Sequence, residues 1–290
     1  MIKGLIVSAR WGHWVKNIII FAALIFARQY GNPAKIWLAI VAFLAFGLAA
    51  SAVYIANDIF DRENDRNHPI KKSRPIAAGT VQIRAACTAA IILMIAGLGL
   101  AYSINWPTAL AMIIYVILNL AYSIALKHVV IIDVMIVASG FVVRAVAGAL
   151  AIAVPISPWL LVCTILLALF LSFGKRRHEL ILLTDGAADH RKALANYSTP
   201  FLDQMISVTT SSTVVAYAFY TISPEIASHF GTRWLPVTIP YVLYGIFRYL
   251  YLIFKRDEGG NPTKLLISDL PLMICVGLWL ITVLLVIKFT

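Results

Sequence analysis

Charge is scarce in this chain, and cysteine scarcer. Only 13% of the 290 residues are Asp, Glu, Lys or Arg, and mean hydropathy is +0.87, which excludes an ordinary soluble globule. The three cysteines, Cys87, Cys163 and Cys275, stand singly in apolar stretches with no CxxC or other ligand spacing. They read as small packing residues, not as a disulfide framework or a zinc site. Low-complexity tracts are missing. So is a small-residue cleavage site after the first apolar run, which is therefore expected to remain as a span. Acid is short as well: 13 Asp and Glu stand against 24 Lys and Arg, a net charge of +11.

What is abundant is apolar sequence in runs long enough to cross about 30 Å of hydrocarbon. The predicted spans are 14–30, 36–56, 82–103, 107–125, 129–152, 158–174, 203–223, 234–254 and 269–288. The expected fold is an all-α, polytopic membrane protein: one domain over 1–290, a bundle of nine transmembrane helices with cytoplasmic active-site loops. With nine spans, 18 Lys and Arg fall on the side of residue 1 and only 4 on the other, with Arg144 and Arg248 inside spans. The positive-inside rule places the richer side in the cytoplasm. Basic excess alone is a signature of insertion. The acids follow it, however, with only Glu225 clearly opposite, and topology does not demand that. The cytoplasmic face therefore reads as the working face of a protein in the cell (inner or plasma) membrane. Its positive charge is accounted for by topology, anionic lipid and substrate phosphate, with no call for nucleic acid.

The richest polar segment is 57–79, NDIFDRENDRNHPIKKSRPIAAG, with four acidic and six basic side chains counting His68. Asp58, Asp61 and Asp65 recur at spacings of three and four, which on a helix gives them one face. Convergent carboxylates at a bilayer edge repel unless a cation joins them. Oxygen donors suit Mg²⁺, which takes one or two carboxylates and completes its shell with substrate phosphates. Lys71, Lys72 and Arg74 follow, suited to gripping those phosphates. Asp58, Asp61 and Asp65 are thus the candidate catalytic and metal-binding residues, with Asn57 placed to bond a phosphate or orient an aspartate. His68, before Pro69, reads as a turn-shaping residue.

Three further groups join it. At the first span, Trp11 and Trp14 are interfacial anchors, while Lys16 and Asn17 sit deeper and reach substrate phosphate if they face inward. In 122–144, Lys127 and Asp133 are substrate candidates. Arg144, eleven residues beyond Asp133 and about 16 Å along a helix, is too far for a direct bridge and reads as structural. In 174–180, GKRRHEL, helical spacing pairs Lys175 and Arg176 with Glu179 as a cation–carboxylate group. Tyr54 and Tyr122 complete the substrate-binding set. Downstream, Asp185 and Asp189 form a DxxxD that reads as a surface loop.

The NDxxDxxxD pattern after the second span resembles the UbiA superfamily of intramembrane prenyltransferases. Together with WVKN, the LKH…D…R stretch, GKRRHEL and GNPTKLLISDLPL, the segment DRENDRNHPIKKSRPIAAG resembles one branch, the decaprenyl-phosphate phosphoribosyltransferases. The likeness runs from Trp14 to about Leu272. It implies Mg²⁺-dependent transfer of 5-phosphoribose from 5-phosphoribosyl 1-diphosphate to a polyprenyl phosphate, releasing diphosphate with inversion at C1, with Lys175 or Arg176 holding the 5-phosphate. The alternative is prenyl transfer from a polyprenyl diphosphate to an aromatic acceptor such as 4-hydroxybenzoate, whose enzymes carry a second aspartate motif. Asp185 and Asp189 keep that alternative open. Self-association into a homo-oligomer is compatible with either.

Overall fold

The computed structural model describes residues 1–67, 71–182 and 196–289. His68, Asp185 and Asp189 lie outside the described residues. Helices, short 3₁₀ turns and connecting loops make up everything described, with no strand. Among the described residues eight helices are long and apolar enough to cross a membrane, and the chain is a multi-pass membrane protein. It divides into two compact units, one of 1–156 and one running from residue 157 onward.

The first unit is organised on the 28-residue helix α3 (Pro33–Phe60). Pro33 opens it, and Asn32 caps it by accepting from the amides of Ala34 and Lys35 at 3.1 and 3.4 Å. Before it come α1 (Ile2–Ala9), a 3₁₀ run over Trp11–Phe21 and the short α2 (Ala22–Phe26). After it come α4 (Arg62–Asn67), α5 (Ile83–Ile104), α6 (Trp106–Ile124) and α7 (Ile132–Ala151). The core is built from small side chains, with Ala42, Ala45, Ala49, Ala101 and Ala147 buried around Phe46, Met112 and Tyr115. Such residues let helix backbones touch where lipid removes the usual hydrophobic drive. A Cβ on Gly97 would stand 2.9 Å from the Ala45 carbonyl oxygen, and one on Gly148 only 2.1 Å from that of Ile20.

The predicted first span, 14–30, is not one continuous α-helix. Its chain still runs antiparallel to α3: Ser51 donates to the Ala9 carbonyl at 2.8 Å, while Ala23 and Leu24 pack with Ala39 near the other end. A 3₁₀ helix has three residues per turn, so residues three apart eclipse. Trp14 lies over Gly47, Asn17 bonds Arg144 and Ile20 presses on Gly148, one ridge at spacing three. The sequence W-x₂-W-x₂-N-x₂-I carried this period, which an α-helical reading of 3.6 overlooks.

The second unit contains α8 (Pro158–Leu182), α9 (Thr199–Ile222), α10 (Pro224–Phe230), α11 (Ile239–Arg256), α12 (Pro262–Ser268) and α13 (Leu270–Phe289). Here α8 outruns its predicted end at 174 by eight residues. Its polar last turns are held by ion pairs along the helix from Arg176 and Lys175 to Glu179, at 2.6 and 3.7 Å. Arg177 joins three helices, bonding Asp203 at 2.6 Å, lying over the Phe254 ring at 4.5 Å and reaching Asp257 at 3.7 Å.

Candidate active site

The carboxylates sit where α3 ends. Asp61 terminates that helix, with φ −88° and ψ 3°, and α4 restarts at Arg62. The helical path nearly continues, because the Asp65 amide still donates to the Asp61 carbonyl at 2.8 Å. Asp58 and Asp65 are only 2% and 3% exposed. Burial of two like charges demands a cation, and Arg74 supplies it. One of its terminal nitrogens donates to Asp58 at 3.1 Å and to Asp65 at 2.7 Å. Arg10 donates to the same Asp58 oxygen from the other side, with its guanidinium 5.1 Å from the Tyr54 ring centroid.

Arg74 is aimed by the loop behind it. The RPIAAG stretch closes as a tight turn, with Ala78 donating to the Arg74 carbonyl at 2.8 Å and Gly79 adopting φ +75°, a left-handed conformation that glycine tolerates. Ile76 is buried among Ala9, Ile55, Val81 and Ala86, which pins the loop to α1, α3 and α5. Arg66 of α4 adds a bond to the Ala77 carbonyl at 3.2 Å. The apolar IAA thus serves as the anchor that holds a charged side chain over two acids.

Asp61 is turned to a different partner, Lys127, carried by a 3₁₀ turn (Leu126–His128) between α6 and α7. The three aspartates therefore split into a bridged pair and a separate ion pair. Among the described residues no three His, Cys, Asp or Glu are grouped closely enough to hold a metal ion. Two carboxylates remain a fit. The Asp58 and Asp65 oxygens that share one Arg74 nitrogen stand within about 6 Å of each other with a cation between them. An all-oxygen pair suits a hard ion whose other ligands come from phosphate.

The other predicted residues are distributed as follows. Asn57 and Tyr54, on the same end of α3, are half-buried. Lys71 is half-buried in the 3₁₀ turn (Lys71–Ser73) whose carbonyl accepts from the Arg74 amide at 2.9 Å. Tyr122 is half-buried near the end of α6, and Asp133 is fully buried in the first turn of α7, where the helix dipole favours an acid. Asn17 and Arg144 are joined at 2.7 Å deeper in the same unit. Lys175, Arg176 and Glu179 form their own cluster on α8 of the second unit. Arg10, the Asp58 partner, is absent from the residues singled out by sequence. Arg10 reaches Asp58 from the cap of the 3₁₀ run, where its φ of 50° lies outside the helical region.

A family model described as the UbiA prenyltransferase family matches residues 17–286. The chain belongs to that family. Two curated relatives share the length of this UbiA chain. A protein of Mycobacterium tuberculosis, named decaprenyl-phosphate phosphoribosyltransferase, is 32% identical over 98% of this chain and 94% of its own. One of the same name from Mycolicibacterium smegmatis is 35% identical over 98% and 92%. Among solved structures, a UbiA homolog from Archaeoglobus fulgidus bound to GPP and Mg²⁺ superposes with a TM-score of 0.74, covering 98% of this chain and 99% of that one. At 19% identity that likeness speaks to the UbiA fold.

Proposed function

We propose that this protein transfers 5-phosphoribose from 5-phosphoribosyl 1-diphosphate to a polyprenyl phosphate, releasing diphosphate. The observation that carries the reading is the set of fixed cations at the acid site: Arg10, Arg74 and Lys127 match the three aspartates one for one. With the aspartates turned to a metal ion, those cations are left for a diphosphate ester, which arrives with up to three ionised oxygens. Full-length similarity to two proteins named decaprenyl-phosphate phosphoribosyltransferase supports the same substrate pair. The working face is assigned to the cytoplasm and the protein to the plasma membrane, on the strength of the Lys and Arg asymmetry.

Asp58 and Asp65 are the residues to hold Mg²⁺, with Asp61 fixing Lys127 toward the same group. When bound, the ion supplies electrostatic stabilisation of the departing diphosphate. Arg74 and Arg10, held by the aspartates, take phosphate oxygens and offset the charge that builds as the C1–O bond breaks. A phosphate oxygen of the acceptor forms the new bond to C1, and the electron pair of the old bond leaves with diphosphate. That oxygen is already ionised at neutral pH, so no side chain has to remove a proton. Attack opposite the leaving group inverts C1.

The test is transfer by purified protein in detergent with Mg²⁺. Labelled 5-phosphoribosyl 1-diphosphate and a polyprenyl phosphate are expected to give labelled lipid. Label passing instead from a prenyl diphosphate into 4-hydroxybenzoate would replace this reading with the aromatic prenyltransferase.

A further inference from the structure

Below the aspartates, the first unit buries positive charge without acid. Arg144 in α7 is 5% exposed, and its three bonds all go to neutral groups: Asn17 Oδ1 at 2.7 Å, the Gly140 carbonyl at 2.8 Å and the Tyr115 hydroxyl at 2.8 Å. Tyr115 also lies under the guanidinium, 4.5 Å from ring centroid to Cζ. No carboxylate pairs with Arg144 among the described residues. Lys16 makes no hydrogen bond or ion pair among them either, yet it feels the charges of both Arg144 and Arg10. An ionised group inside a span is costly unless something compensates it, and here two cations share one region.

The neighbouring dipoles point the same way. Asn17 is 1% exposed and spends its oxygen on Arg144, which leaves its amide nitrogen buried with no acceptor. A guanidinium offers five N–H groups, and Arg144 uses three. Ammonium, guanidinium and amide N–H groups are thus gathered where no anionic acceptor is described. A purely structural arginine explains its own three bonds. It explains neither an adjacent lysine nor an amide left unsatisfied beside it.

Position narrows the ligand. His13 and Lys16 lie on one line of the 3₁₀ helix that Arg10 caps, with Arg10 on Asp58 and His13 edge-on to Tyr54 at 5.3 Å. At about 2 Å per residue, Lys16 is roughly 12 Å below Arg10. That is close to the length of a pentose bearing diphosphate at one end and phosphate at the other. We infer that Lys16, Asn17, Tyr115 and Arg144 form a second anion site, distinct from the aspartate site, that binds a phosphate monoester. Within the proposed reaction, on which this assignment rests, two such groups exist: the 5-phosphate of the donor and the phosphate of the lipid acceptor.

Asn17→Asp tests the site. The new carboxylate pairs with Arg144 in nearly the same volume, so the fold is kept while an anion is repelled. Binding to wild-type and variant protein in detergent is measured calorimetrically with ribose 5-phosphate, with geranylgeranyl phosphate, and with inorganic diphosphate plus Mg²⁺. The expected result is at least tenfold weaker binding of one monoester with magnesium diphosphate affinity unchanged. Loss confined to ribose 5-phosphate identifies the donor, and loss confined to the lipid phosphate identifies the acceptor. Lys16→Met gives the same pattern and carries the test should Asn17→Asp lower thermal stability. Both monoesters binding both variants as they bind wild type, or binding wild type not at all, overturns the site. A protein that transfers no phosphoribose yet loses monoester binding on Asn17→Asp sinks the reaction and keeps the site.

Discussion

Asp58→Asn and Asp65→Asn should each lower kcat by about 10²-fold or more, because each removes a charged oxygen from the pair that Arg74 bridges. Transfer assays at saturating donor check this, and near-normal turnover in either variant would remove the pair as the metal site. Asp61 is expected to behave differently, since its partner is Lys127. Asp61→Asn and Lys127→Met, made singly and together, should be non-additive by about 0.5–3 kcal/mol in a double-mutant cycle on kcat/KM. Strict additivity would mean that the two residues act apart. The acid residues were legible from NDxxDxxxD because helical spacing puts them on one side. Their division into a pair and a single was not, because Arg10 and Lys127 arrive from segments 48 and 66 residues away in sequence.

Helices in this chain touch through glycine and alanine, so the vulnerable positions are those where backbone meets backbone. Gly148→Ala forces a methyl against the Ile20 carbonyl and should cost about 1–3 kcal/mol of stability, seen as a lowered Tm in detergent. An unchanged Tm would show that the 3₁₀ run shifts freely. On α8, Lys175→Ala should raise the KM for 5-phosphoribosyl 1-diphosphate more than that for the lipid, and the reverse would reassign GKRRHEL to the acceptor. Asp269, in the break between α12 and α13, accepts from the Arg248 guanidinium at 3.1 and 2.7 Å, which holds its carboxyl below the usual range. A lowered folded-state value stabilises above the ordinary carboxylate range and is lost as pH falls through it. Asp269→Asn should therefore flatten part of the acid-side loss of Tm. Eight of the predicted spans match long apolar helices and were readable from hydropathy, whereas the 3₁₀ character of the first stretch required seeing a period of three.

For the whole molecule, charge asymmetry makes a topological prediction. With native cysteines replaced, Lys72→Cys should react with an impermeant maleimide in inverted membrane vesicles, and Glu225→Cys only from the opposite side. Labelling of both from one side would break the odd number of crossings on which the cytoplasmic assignment depends. Among the described residues eight helices are long and apolar enough to cross a membrane, and the predicted first span is part 3₁₀ helix.

Composition and charge spacing by themselves determined that this chain lives in a bilayer and that its charged side chains gather near helix ends, most densely in 57–79. Those properties follow from local quantities, the hydropathy of a window and the spacing of charges on one helix. Tertiary structure alone decided which cation meets which carboxylate, and that Arg144 and Lys16 stand together below them without an acid. In sequence Arg144 is one basic residue inside a span and Asn17 one amide, 127 positions apart. Only packing α7 against the first traverse turns them into neighbours, because the cost of a buried charge depends on what surrounds it in space.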